Sequence, residues 1–388
     1  MRMTPLFLFS TLFSGCIEPV QKPLSQAAQS EVTPQILEDV GSLVILPTLE
    51  RFVSTADGLR TRLEALESAP TDDDLILDAQ AQWIASAAIW QQLELMQIGP
   101  AGSSISVLGG QDIRDEIYSW PTVNPCLVDQ KTAEGLWSSD SYFTDNTVNA
   151  YGLDALEHLL FAELDTVCPS QVPPVSDGAW QALGPVGVSQ QRVAFAKFLL
   201  NGLNAQVTTL QSAWSEDGDN FGVLMQGEQE DSPYASRDDA LYAIYYSLFY
   251  LETMTKDRKL AVPLGLKDCS TDCSDQVESH LSQSSTNAIQ SNLIGFKTLF
   301  SGADGMGFDD LLSDLGHADL AEGILADTDA AIAFAEQFEQ PLSDAIVNQP
   351  EQVMEFYDHI GVITDQLKGD LATVLMMDVP AEAAGDND

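Results

Sequence analysis

The chain has 388 residues, 45% of them hydrophobic, which allows one large domain or two of moderate size around a real core. Its 16 basic residues stand against 59 acidic ones, a formal net charge of −43. That balance excludes nucleic acid as a partner and disfavours anionic lipid surfaces, because both carry the protein's own sign. The acids are spread along the chain, which reads as a solvated surface; a field that concentrates metal ions or basic partners is the sharper alternative.

In chain order, Met1-Arg2, an apolar stretch from Pro5 to Phe13 and Ser14-Gly15-Cys16 form a secretory signal. The stretch is too short to span a bilayer. A cysteine directly after two small residues marks a lipoprotein signal, although Phe13 stands where such signals usually carry Leu. Residues 1–15 are then the signal peptide, and Cys16 is the lipidated first residue of an exported protein anchored to a membrane, periplasmic or at the cell surface. An ordinary signal with an incidental cysteine is the alternative. Ile17 is not the acid that retains lipoproteins at the inner membrane, which favours the outer one. Residues 16–32 are polar and read as a tether. No later segment reaches about 18 uninterrupted apolar residues.

The periodicity that follows is helical. Over Asp74 to Ile98, Ile76, Trp83 and Trp90 recur every seven residues, with Thr71-Asp72-Asp73 supplying the N-cap and acidic first turn and Gly99-Pro100 the stop. Further helices are predicted over 148–162, 190–214, 238–259, 277–300, 320–340 and 351–376. Only Ile105–Leu108 hints at a strand. The chain is therefore all-α and best built as two fused helical bundles. The Pro- and Gly-rich stretch 169–187 divides them, giving an N-terminal bundle over 33–185, a C-terminal bundle over 186–377 and an acidic tail over 378–388.

Four cysteines remain once Cys16 is set aside, an even number in an exported chain. Nearest-neighbour pairing gives the disulfides Cys126–Cys168 and Cys269–Cys273. A zinc site from the four lacks a C-x-x-C pair.

The clearest chemical constellation is Gly152-Leu153-Asp154-Ala155-Leu156-Glu157-His158. On a helix, Asp154, Glu157 and His158 lie on adjacent turns of one side, away from Leu153, Leu156 and Leu160. Two carboxylates and an imidazole there suit a divalent or ferric metal ion, iron or zinc; a solvated or ion-paired helix face is the alternative. Glu94 sits on the apolar stripe of its helix, so it must be paired, protonated or bound to a cation. Arg114 is a candidate partner. No H-E-x-x-H, G-x-S-x-G or phosphate-binding glycine loop occurs, and the acidic loop 304–310 departs from the calcium-binding order at Met306.

The chain resembles the imelysin family of exported, mostly helical bacterial proteins, which includes iron-regulated protein A. The resemblance covers most of the mature chain and rests on the order and spacing of several pieces: Trp83 through Gly99-Pro100, Ser119-Trp120-Pro121, Asn149 through Phe161, Lys259 through Gly265, and Asn292 through Phe296. It implies two helical bundles with the motif helix facing a cleft between them, and a link to iron acquisition. The family's motif is G-x-H-x-x-E, read as a metal site. Gly152 and Glu157 match it, and Asp154 stands at the histidine position, which disfavours a histidine-dependent zinc peptidase. Three functions follow as expectations. The first is a lipoprotein that binds a metal ion or metal-bearing ligand, working with uptake-system proteins. The second is a metallopeptidase with Glu157 as general base. The third is a non-catalytic surface scaffold.

Overall fold

The computed structural model describes residues 24–139, 141–227, 229–269 and 273–384. Cys16 and the signal lie outside the described residues. Within them the chain is helical and shows no strand; Ile105–Leu108 lies in a turn-rich loop.

The first bundle is built from α1 (Leu46–Ser68), α2 (Asp73–Leu93), α3 (Leu153–Phe161) and α4 (Ala179–Trp214). α1 packs along α2 and α4, and α3 fits between α2 and α4. α2 begins as its sequence dictates: the Asp72 carboxylate accepts the Leu75 N–H at 3.1 Å, and Asp73 and Asp74 fill the first turn. Trp83 and Trp90 of its stripe are buried and Ile76 is half-buried, and Trp83 donates Nε1–H to the Leu153 carbonyl at 3.0 Å. That bond ties the motif helix to the stripe. α4 runs through residue 185, the expected boundary, with a kink at Gly184-Pro185, and packs on the first group of helices.

The second bundle contains α5 (Arg237–Leu248), a π-helical stretch Leu251–Ala261, α6 (Ser285–Phe300), α7 (Ala318–Ala335) and α8 (Pro350–Gln366). α7 packs on α6 and α8, and the π-helical stretch packs on both α6 and α8. The helix expected over 277–300 starts only at Ser285; residues 277–284 form turns. Both predicted cysteine pairs are disulfides.

The two bundles meet where α6 crosses α2. Gly295 permits the close approach: a Cβ there would sit 2.5 Å from the Gln92 carbonyl oxygen. The chain also folds earlier than the expected tether allows. Ala27 and Ala28 are buried, and the Ser25 N–H donates to Asp238 at 3.0 Å, so residues 25–32 belong to the folded body.

A buried polar seam as the candidate functional site

α3 is buried on every side from Leu153 to Leu160. Its polar residues therefore face protein, not water, and each needs a partner. Gly152 opens the helix at φ +96°, a conformation that favours glycine.

The three motif residues leave the helix in different directions. Asp154 accepts from Ser119 Oγ at 2.9 Å and from the Ala155 N–H at 3.0 Å. Glu157 accepts the Ser282 N–H at 2.8 Å, reaching across to the second bundle. His158 Nε2 lies 2.9 Å from Asp129, which also accepts from Thr166 and the Val167 N–H. Asp129 is held below the ordinary carboxylate range: burial opposes this, and His158, Thr166 and Val167 outweigh it. His158 is thus a core histidine, turned away from the two acids. The expected convergence of Asp154, Glu157 and His158 on one ion does not occur, because full burial of the helix spreads its polar groups over three neighbours.

Glu94 is fully buried on α2 and is spent as well. Arg114 donates to it from Nη2 at 2.6 Å and from Nε at 3.1 Å, and Tyr250 Oη donates at 2.7 Å. Arg114 is the partner that the scarcity of basic residues suggests. Burial works against its charge, but Glu94 and Tyr250 hold its affinity for the proton well above the usual value. Tyr250 is pushed up by burial and by Glu94.

Between these acids lies a second set of residues that the motif does not announce. Glu278, in the turn before α6, accepts from Tyr118 Oη at 2.6 Å and Gln91 Nε2 at 3.0 Å, and pairs with Lys259 Nζ at 2.9 Å. Lys259 also donates to Gln91 at 2.7 Å and Asn292 at 2.6 Å. Asn292 returns a bond to the Gln91 carbonyl at 2.7 Å. Tyr118 faces Glu278, Asp154 and Glu157 together, and burial and those charges raise it well above its ordinary value. Four of these six contacts join one bundle to the other. The site is a polar seam, not an open cleft.

Its electrostatics follow from desolvation. Burial pushes Asp154 to about 7, against the help of Ser119 and the Ala155 N–H. Burial likewise pushes Glu157 to about 7, against the Ser282 N–H and with the Glu278 charge adding to the rise. Burial also lowers Lys259, while Glu278 and Glu94 pull it back toward its charged form.

A hydrolytic metal centre takes three protein ligands and one open position. The donors here do not fit it. Glu94 is saturated by Arg114 and Tyr250, His158 is held by Asp129, and Glu278 is held by Lys259. Among the described residues no group of three or more His, Cys, Asp or Glu side chains is placed to hold a metal ion. Beside the seam, however, Arg114 and Tyr250 form the floor of a surface cavity of about 270 Å³. Tyr246, Phe249 and Met254 supply its apolar wall, and Ser106 and Thr253 add hydroxyls.

Lys259 and Asn292 stand in two of the stretches that carry the family resemblance; their pairing with Gln91 and Glu278 left no local signal in the sequence.

Comparison with known proteins agrees with this architecture. The family profile for imelysin matches residues 45–368. No curated protein matches the sequence. The crystal structure of an imelysin-like protein from Psychrobacter arcticum 273-4 is similar with a TM-score of 0.69 at 18% identity, over 90% of this chain and 97% of that one. That of an iron-regulated protein A-like precursor from Parabacteroides distasonis ATCC 8503 is similar with a TM-score of 0.65 at 14% identity, over 92% and 97%. At these identities the likeness is one of fold.

Proposed function

The chain belongs to the imelysin family, and on that premise we propose that it is an exported, lipid-anchored binding protein that serves iron acquisition by holding a metal-bearing ligand and not a bare ion. The iron-related role is supported by the family and by the fold shared with the iron-regulated protein A-like precursor. The preference for a chelate rests on one observation. The acids that a naked ion would need are claimed by the chain's own donors, whereas Arg114 lines a cavity of aromatic and hydroxyl side chains in which Glu382 is the one carboxylate.

Arg114 can still receive a ligand oxygen. Its Nη1 is engaged by Asp115 at 2.9 Å, and the Asp115 side chain is half exposed. Asp115 can turn out to water on its exposed side, so a ligand anion can take its place on Arg114 Nη1. An oxygen-rich ferric chelate would present that anion to Arg114 and rest its organic part on Phe249 and Met254. Glu157 has no role as a base in this reading, because its carboxylate is turned to the Ser282 N–H.

Isothermal titration with ferric citrate and a ferric catecholate, each against its metal-free form, tests this. Ser106→Trp fills the cavity mouth from an exposed loop position. It should weaken chelate binding about tenfold or more, which corresponds to about 1.4 kcal/mol. No heat from any chelate, or equal binding by Ser106→Trp, rules the cavity out. Binding of bare iron that disappears in the double variant Asp154→Ala, Glu157→Ala would move the function to the seam.

A further inference from the structure

The seam contains a cation of its own. Lys259 is fully buried, and its ammonium is enclosed by three oxygens at 2.6–2.9 Å: Asn292 Oδ1, Gln91 Oε1 and Glu278 Oε2. These come from α6, α2 and the turn before α6, so both bundles contribute. One carboxylate and two amide oxygens around a point charge are ligands of the type that hard cations take, and water would have to complete the roughly six to eight that calcium needs. We propose that Lys259 is the built-in occupant of a cation site at the bundle seam, that it excludes free metal ions from the buried acids, and that removing its charge converts the same oxygens into a calcium-type site.

The surrounding contacts fit a held charge. Tyr250 presents its ring 5.5 Å from the Lys259 ammonium. Tyr118 and Gln91 fix the other oxygen of Glu278, so the carboxylate cannot turn away when the ammonium is gone. A buried carboxylate left without its counter-charge is strongly disfavoured. It must then take up a proton or recruit an ion, and the two amide oxygens beside it favour the ion. The inference concerns bare ions at the seam and stands apart from chelate binding in the cavity, so either reading can fail without the other.

Thermal melting with and without calcium, at fixed ionic strength, is the test. The wild type should show no specific calcium response. Lys259→Met, which ends one atom short of the ammonium position and loses the charge, should melt lower and recover with calcium, the recovery growing with the logarithm of its concentration. The double variant Lys259→Met, Glu278→Gln should be calcium-insensitive, because no charge is left to neutralise. If Lys259→Met does not fold alone, refolding with calcium provides the same readout: recovery with the ion and not without it supports the site. A folded Lys259→Met that ignores calcium overturns the proposal. So does failure to refold with calcium while the double variant folds, or a wild-type response that Glu278→Gln abolishes.

Discussion

Asp154 and Glu157 place the protein's acid–base behaviour near neutrality. Burial raises both to about 7 in the fold. Between the ordinary carboxylate range and about 7, the folded state holds protons that the unfolded chain has already released. Stability therefore falls as pH rises across that window and levels off above it. Each unit of such a shift corresponds to about 1.4 kcal/mol. Asn is neutral at every pH, like the protonated acid, but its one oxygen accepts from Ser119 or from the Ala155 N–H and not from both. Asp154→Asn should therefore lower Tm at pH 4 and lose that disadvantage as pH rises, a gain relative to the wild type of about 2 °C or more by pH 8. Melting curves across pH 4–8 decide this; a flat wild-type profile, or an unchanged slope in Asp154→Asn, contradicts it. The sequence identified these two residues and Glu94 as groups needing an explanation, and it offered Arg114 for Glu94. It did not identify what answers the others. Ser119, Ser282 and Asp129 are distant in the chain from the residues they meet, and nothing in their local pattern says which side chain they will face.

Helices of ordinary periodicity were legible, and departures from it were not. α2 carries its cap, its stripe and its stop in the sequence. The stretch Leu251–Ala261 reads as a continuation of α5, yet it winds as a π-helix, a register that a 3.6-residue period does not register. It brings Lys259 to Gln91 and Asn292. The turns at 277–284 were also read as helix; there Glu278 and the Ser282 N–H face inward instead. The start of α3 is similarly decided by the backbone. At Gly152 an added Cβ would lie 2.9 Å from the Ile117 carbonyl oxygen and 3.0 Å from Asp154 Oδ1, on top of the positive φ. Gly152→Ala should therefore cost about 1–3 kcal/mol. Urea titration would show this as a lower midpoint with an unchanged slope. A loss below about 0.5 kcal/mol would mean that the turn adapts, since ordinary surface substitutions stay within that range.

At the scale of the molecule, the all-α class follows from helical spacing, whereas the Pro/Gly break is a kink inside α4 and not the line between the bundles, and the seam depends on pairings that only the packed bundles create. The folded start of the chain changes what an anchor at Cys16 would do. Ser25 is tied to Asp238, so at most residues 17–24 separate a lipid on Cys16 from the body. Even fully extended, such a segment reaches only about 25–30 Å at roughly 3.3–3.6 Å per residue. The chain's net charge is −43, so a body held that close to an anionic leaflet is repelled by it, and among the described residues no helix is long and apolar enough to cross the membrane. If Cys16 carries the proposed anchor, a single acyl chain would hold the protein only marginally, so stable retention would need more than one. Cells fed labelled palmitate should incorporate it into the wild type, which should sediment with membranes even in high salt. Cys16→Ser should be unlabelled and released to the soluble fraction with its melting temperature unchanged, because Cys16 precedes the folded body. An unlabelled wild type, or a Cys16→Ser protein that still sediments with membranes, would remove the anchor and leave an exported protein free to diffuse.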